Sequence, residues 1–246
     1  MSARIRIGCS GWEYRHWRGT FYPVDLPQAD WLAFYASHFE TVELNGTFYR
    51  LPEAGTFDRW RERAPEGFRY AVKASQYLTH RRRLNEPAEP INRLWTRATH
   101  LEDRLGPMLY QLPPRWHRNL VRLEAFLALL PRGRDHAIEF RDPTWHHPDT
   151  YRLMERYGIA LCLHDMPGSK APIEPAGPFG YVRFHGRGGH YSGSYPAQAL
   201  GAWAKRLVEW ADAGLPAWVY FNNDAGGLAP RDALRLREAV DHHRSG

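Results

Sequence analysis

The sequence predicts an α/β fold, a single (β/α)₈ barrel of the TIM type that takes up residues 1–246 as one domain. Eight short apolar runs alternate with longer amphipathic segments along the whole chain, a pattern typical of parallel strands joined by crossover helices. The 246 residues match the length that one closed barrel needs, and no linker-like segment or internal repeat divides them. An open, doubly wound sheet is the alternative, because the number of strands alone does not prove closure.

The elements follow in chain order from the hydrophobic periodicity. The predicted strands are residues 4–8, 41–44, 69–73, 108–112, 137–140, 160–164, 181–185 and 217–222. The predicted helices are residues 28–37, 56–63, 91–104, 120–130, 149–157, 197–213 and 230–240. The connection between the sixth and seventh strands, MPGSKAPIEPAGPFG, lacks a helical pattern, and its proline and glycine content predicts an irregular loop.

Polar side chains recur at every second position of the predicted strands, opposite an apolar face. Side chains alternate between the two faces of a strand, so one face meets the helices and the other lines the barrel interior. The polar set near the C-terminal strand ends is Glu43, Asn45, Lys73, Gln111, Glu139, Arg141, His164, Arg183, His185 and Asn222. Unpaired buried charges are costly, and barrel enzymes carry their chemistry at this end. The pattern therefore predicts a functional mouth, with a purely structural salt-bridge network as the alternative.

The composition favours an intracellular protein with anionic partners. The net charge is +6 and the pI about 9.4, which suits phosphorylated metabolites or nucleic acid. Almost all of this positive charge is arginine, however, and a compositional bias of the genome would give the same skew. The chain contains no apolar run of membrane-spanning length and no signal-peptide pattern, so we expect a cytoplasmic protein with no membrane partner. Two distant cysteines, Cys9 and Cys162, predict neither a disulfide nor a cysteine zinc site.

Several motifs in order resemble those of the YecE-like family, domain of unknown function 72. They are IGCSGWEYRHWRGTFYP, FETVELNGTFYRLP, FRYAVKASQYLTH, LGPMLYQLPP, IEFRDPTW, ALCLHD, YVRFHG and WVYFNND, and they span nearly the whole chain. The resemblance implies a TIM-type barrel without an established activity. Such a barrel is similar to those of endonuclease-IV-like phosphodiesterases and xylose-isomerase-like proteins, a likeness of fold that does not by itself transfer chemistry.

The predicted ligand-binding residues are cations and amides at the mouth, with one aromatic residue. Lys73, Arg141 and Arg183 suit the capture of phosphate or carboxylate. The amides of Gln111, Asn45 and Asn222 suit hydroxyls or base edges, and Trp12 opens an aromatic-rich loop after the first strand. The loop is either a packed lid or a stacking surface. The arginine run in THRRRL is either part of the cationic site or a solvated surface run.

The predicted catalytic residues are two histidines and two carboxylates. His164 and His185 end adjacent predicted strands and could transfer protons, with Glu43 and Glu139 orienting them or accepting protons. Asp165 and Asp224 extend this set toward a metal site, but the neighbouring cations oppose one, so we expect no cofactor and keep a divalent metal as a minor alternative. The two glutamates could also be the carboxylates of a glycosidase. The same cations oppose this interpretation, because they favour the ionised carboxylates whereas a general acid needs a raised pKa.

Together these predictions describe a barrel that binds a phosphorylated or nucleic-acid-derived anion at its C-terminal mouth. The expected partner is an anionic small molecule or a nucleic-acid fragment, and a phosphodiester hydrolase is the specific activity that fold analogy favours. Whether the protein is an enzyme is left open. A metal-dependent sugar isomerase or lyase and a non-catalytic nucleic-acid-binding module are the alternatives.

Overall fold

The computed structural model describes residues 2–166, 168, 172–189 and 191–245. Its strands are Ile5–Cys9 (β1), Thr41–Leu44 (β2), Arg69–Lys73 (β3), Leu105–Gln111 (β4), His136–Glu139 (β5), Ala160–Asp165 (β6), Gly180–Phe184 (β7) and Ala217–Phe221 (β8). Its α-helices are Trp31–His38 (α1), Gly46–Tyr49 (α2), Ala54–Arg63 (α3), Ala88–Ala98 (α4), Leu120–Leu127 (α5), Pro148–Tyr157 (α6), Ala197–Asp212 (α7) and Leu228–Ser245 (α8). A π-helical turn occupies Tyr77–Arg81.

The eight strands form one sheet in the order β1, β8, β7, β6, β5, β4, β3, β2. Its topology is that of an α/β (β/α)₈ barrel of the TIM type, so the predicted fold class is confirmed. The chain groups into two compact units, Met1–Glu43 with His164–Ser169 and Phe179–Gly246, and Leu44–Leu163 with Lys170–Pro178. The extent of one domain over residues 1–246 stays a prediction.

The first unit contains a parallel β1–β8–β7 ladder with α7 and α8. Val219 of β8 pairs with Ile7 of β1 and with Val182 of β7. Phe184 stacks on Phe221 at 4.6 Å between ring centroids and meets Trp203 of α7 edge-on at 5.2 Å. These apolar rings face the helix, as the alternation of the strand predicts.

A glycine in β1 permits a close backbone approach in this unit. A Cβ on Gly8 would lie 2.1 Å from the carbonyl oxygen of Thr41 and 2.9 Å from the Tyr35 hydroxyl. Without that Cβ, the Tyr35 hydroxyl donates to the Thr41 carbonyl at 3.0 Å and accepts from the Cys9 amide at 2.8 Å. One side chain of α1 thereby ties together the backbones of two strands.

The second unit contains the parallel pairs β3–β4, β4–β5 and β5–β6. The β3–β4 register shifts between Tyr70, which pairs with Leu105, and Val72, which pairs with Met108. The shift absorbs Gly106 and Pro107, because proline cannot donate to the ladder and is tolerated at a bulge. The strand therefore begins at Leu105, three residues before the predicted start at residue 108.

Further differences from the sequence-based elements are local. The predicted helix 91–104 ends at Ala98 and continues as the 3₁₀ turn Thr99–Arg104, in which Glu102 has a positive φ of 49°. The four-residue helix α2 was not predicted, because one turn is too short for a periodic signal. The connection between β6 and β7 has no helix at residues 166, 168 and 172–179, and its residues 167 and 169–171 lie outside the described chain.

Candidate functional site

A buried ion pair joins β2 and β7 in the first unit. The side chains of Glu43 and Arg183 are both 0% exposed, and Nη2 and Nε of the arginine donate to Oε1 of the glutamate at 2.9 and 3.2 Å. Ser10 donates to the same oxygen at 2.7 Å, and the Tyr181 hydroxyl donates to Oε2 at 2.7 Å. Four hydrogen bonds hold the carboxylate in one place, and the two charges compensate each other. This geometry suits a fixed anchor better than a group that exchanges protons.

Two histidines lie close together at the strand ends of the same unit. His164 of β6 and His185, which follows β7, are buried, with ring centroids 6.4 Å apart and ring planes at 71°. The amide nitrogen of Asn222 lies 3.3 Å from Nδ1 of His185. An amide donor there assigns the proton of a neutral His185 to Nε2. The structure thus brings together three of the predicted residues in an arrangement able to donate and accept protons.

Asp165 fixes the end of β6 beside these histidines. Its carboxylate accepts from Arg187 at 2.9 Å and from the Trp203 indole at 3.4 Å, and its carbonyl accepts from the His185 amide at 2.9 Å. The contacts give the aspartate a role in holding neighbouring segments together. Its predicted part in a metal site has no support from these partners.

The aromatic loop after β1 is packed. Trp12 is buried, and its carbonyl accepts from the Tyr22 hydroxyl at 2.7 Å. Tyr22 stacks on Trp31 of α1 with centroids 4.8 Å apart and planes at 8°. Trp17 donates to Asp224 at 2.6 Å, and burial raises the pKa of that carboxyl. These contacts match the packed-lid reading of the loop, and ligand contact by Trp12 stays a prediction.

A second ion pair lies in the second unit, at the end of β5. Arg141 pairs with Glu139, whose side chain is completely buried while that of the arginine is 10% exposed. The Cys162 thiol lies 3.7 Å from the other oxygen of the same carboxylate. Gln111, the last residue of β4, pairs in register with Glu139. Three predicted site residues are therefore neighbours here.

Lys73 ends β3 and lies against the short helix α2. Its ammonium is 4.1 Å from the centroid of the Phe48 ring, and the Thr47 hydroxyl donates to its carbonyl at 2.6 Å. The side chain is nearly buried. Asn45 precedes α2, and its buried Oδ1 has no hydrogen-bond partner among the described residues.

His80 is a candidate residue that the sequence did not single out. It lies on the π-helical turn after β3, with its ring 5.0 Å from the Phe48 ring and Nδ1 2.9 Å from the Thr79 hydroxyl. Burial, Lys73 and Arg141 lower the pKa of His80 to about 4, against an opposing effect of Glu139. The residue stands in the quoted motif FRYAVKASQYLTH, but periodicity gives no direction for a side chain on a turn.

Of the three arginines that follow His80, two are exposed to solvent and one makes local contacts. Arg81 and Arg83 are exposed. Arg82 pairs with Glu86 and lies over the Tyr77 ring at 5.9 Å. These positions agree with the reading of THRRRL as a solvated surface run.

Within the described part of the chain, no group of three or more His, Cys, Asp or Glu side chains is placed to hold a metal ion. No helix among the same residues has both the length and the apolar character to cross a membrane.

Comparisons with known proteins agree with this fold. The family described as "Protein of unknown function DUF72" matches residues 6–246. The UPF0759 protein YunF of Bacillus subtilis is 29% identical over 98% of this chain and 96% of its own. YecE of Escherichia coli is 33% identical over 56% of this chain and 49% of its own. A crystal structure of a DUF72 family protein from Thermotoga maritima matches with a TM-score of 0.88 and 26% identity over 97% of this chain and 99% of that one. The chain is therefore a member of the DUF72 family.

Proposed function

We propose that the protein binds a phosphorylated or otherwise anionic ligand at the C-terminal ends of its strands. One observation carries this proposal. Lys73 at the end of β3 and Arg141 just beyond β5 are nearly buried cations, and both act on the same imidazole, that of His80. Clustered cations at strand ends suit charge-assisted hydrogen bonds to a phosphate or a carboxylate.

Binding of inorganic phosphate tests the proposal. We expect measurable binding by isothermal titration calorimetry at pH 7.5 and low salt. Lys73→Met and Arg141→Gln should each weaken it about 10-fold to 100-fold, the range for loss of one charge-assisted hydrogen bond. Arg141→Lys keeps the charge and should retain part of the affinity.

Arg81→Gln is the matched control, because Arg81 is an exposed arginine that also follows β3. It should leave the affinity within about 2-fold of the original, as an exposed charge is screened by solvent. Equal losses for Arg81→Gln and Arg141→Gln would indicate a diffuse surface effect and contradict a specific site.

We also propose phosphodiester hydrolysis at the two buried histidines of the first unit. Its support is the pair His164 and His185, whose ring centroids are 6.4 Å apart, and His185 accepts from Asn222 at Nδ1. A positioned acid and base typically contribute about 10²-fold to 10⁴-fold to a rate. His185→Gln should therefore lower kcat for bis(p-nitrophenyl) phosphate by that order, and His117→Gln, at an exposed histidine, should not change it.

A non-catalytic nucleic-acid-binding module, the second alternative, would respond differently to salt and to mutation of the histidines. A protein that neutralises several phosphates loses affinity steeply with salt. Binding of an oligonucleotide that weakens in this way and survives His164→Ala and His185→Ala would favour that alternative.

Elemental analysis of protein purified without chelator, and activity measured with and without EDTA, would test the alternative of a metal-dependent isomerase or lyase. The cytoplasmic location is part of the proposal.

A further inference from the structure

We propose that His80 is a third ligand of the anion and takes up a proton when a doubly charged oxyanion binds. The inference rests on the proposed function, because it assigns the anion to Lys73 and Arg141. It adds the class of ligand: a dianion, such as sulfate or a phosphate monoester, is preferred over a monoanion.

The position of His80 is fixed by two neighbours. The Phe48 ring makes a T-shaped contact with His80, with centroids 5.0 Å apart and planes at 82°, and the Lys73 ammonium lies 4.1 Å from the centroid of the same ring. One aromatic side chain from α2 thus holds both the lysine of β3 and the histidine of the π-helical turn. Turns of the π-helical kind are rare and occur frequently at functional sites.

The tautomer of His80 follows from the Thr79 hydroxyl. That hydroxyl has one proton and donates it to the Ser75 carbonyl at 3.2 Å. It can then only accept from Nδ1 of His80, 2.9 Å away. The proton of the neutral imidazole is therefore on Nδ1, and Nε2 has a lone pair with no hydrogen-bond partner among the described residues.

The charges that face His80 explain why it is neutral without a ligand. Lys73 comes from β3, and Glu139 and Arg141 come from the end of β5; α2 contributes the uncharged Phe48 ring. Together with burial, the two cations outweigh Glu139 and lower the pKa of the imidazole to about 4. An anion bound to those cations removes their effect and raises the pKa of His80. Proton uptake and anion binding therefore favour each other, and the coupling is reciprocal.

The reciprocity gives a test with sulfate, whose charge does not change between pH 5 and pH 7.5. We expect sulfate to bind about 10-fold more tightly at pH 5 than at pH 7.5, within the usual range for coupled sites. The proton taken up should appear as a calorimetric enthalpy that depends on the ionisation heat of the buffer. Nitrate, a monoanion, should show less than about a third of this pH dependence.

His80→Gln keeps a hydrogen-bonding side chain and cannot take up the proton, so its sulfate affinity should lose the pH dependence attributed to His80. His146→Gln is the matched control. His146 is a half-buried histidine whose pKa burial also lowers, and it contacts Tyr151 instead of the cations. That variant should retain the pH dependence.

The unaltered protein provides a second measurement that does not depend on a variant's folding. Long-range ¹H–¹⁵N spectra of histidine-labelled protein should show His80 as the Nδ1–H tautomer down to about pH 4.5, with protonation at higher pH once sulfate is present. Sulfate binding that depends on Lys73 and Arg141, combined with an ordinary titration of His80, would overturn this inference and leave the proposed function standing. No sulfate binding at either pH would overturn both.

Discussion

Glu43 and Arg183 show how this chain accommodates charge inside a strand layer. Their side chains are completely buried, so each has lost its hydration. The guanidinium and two hydroxyls replace that hydration on the carboxylate. A buried pair of this kind contributes little net stability, but the loss of one member leaves the other charge uncompensated.

Arg183→Met should therefore lower the free energy of unfolding by about 3–5 kcal/mol, the range for a broken buried ion pair. Arg4→Met is the matched control, since Arg4 pairs with Glu40 at 2.8 Å while both side chains are more than half exposed. Its cost should be less than about 1 kcal/mol. Urea unfolding followed by circular dichroism measures both changes, and similar small losses would show that Arg183 is not a structural anchor.

The sequence predicts the site residues on regular strands better than those on short helices and turns. Glu43, Glu139 and Arg183 occupy regular strands, where alternation assigns the face, and the structure places them in buried ion pairs. Phe48 and His80 occupy a four-residue helix and a π-helical turn. Their directions depend on the local path of the chain, and no period in the sequence encodes that path.

The ends of helices and strands show the same division between local and distant causes. The end of α6 is encoded locally: Gly158 has φ 66°, its amide bonds the Glu155 carbonyl, and the Ile159 amide bonds the Met154 carbonyl. This is the Schellman arrangement, in which glycine adopts the left-handed conformation without a Cβ penalty. The start of β4 depends instead on the β3 register across the bulge, a pairing that the segment itself does not specify.

Two glycine-to-alanine substitutions should have opposite effects on stability. A Cβ would meet nothing within 4 Å at either Gly158 or Gly201, so packing does not decide the result. Gly158→Ala places alanine at positive φ and should cost about 1 kcal/mol. Gly201 lies inside α7, where alanine is the better helix former, so Gly201→Ala should add about 0.5–1 kcal/mol. Thermal unfolding measures both; a loss at both positions would contradict the backbone argument.

Buried and half-buried histidines make the stability of the protein sensitive to acid. Burial lowers the pKa of His136 and of His146, and burial with two cations lowers that of His80 to about 4. In the unfolded chain these imidazoles titrate near pH 6.5. Between these limits the unfolded state binds more protons than the folded state, so acid favours unfolding. His80, which we propose as an anion ligand, is therefore also one of the groups through which acid lowers the stability of the fold.

The free energy of unfolding should accordingly be level above about pH 7.5 and fall as the pH drops through the range from about 6.5 to 4. Each histidine inside this window contributes a slope of up to about 1.4 kcal/mol per pH unit. His136→Gln should reduce the loss between pH 7.5 and pH 5.5, because glutamine takes up no proton in either state. His117→Gln, at a histidine with 80% side-chain exposure, should leave it unchanged. Urea titrations at the two pH values measure the loss. Sulfate should diminish this loss of unfolding free energy in the parent protein, since a bound dianion lets His80 take up its proton while the protein is folded. An equal loss in all variants would assign the acid sensitivity to other groups.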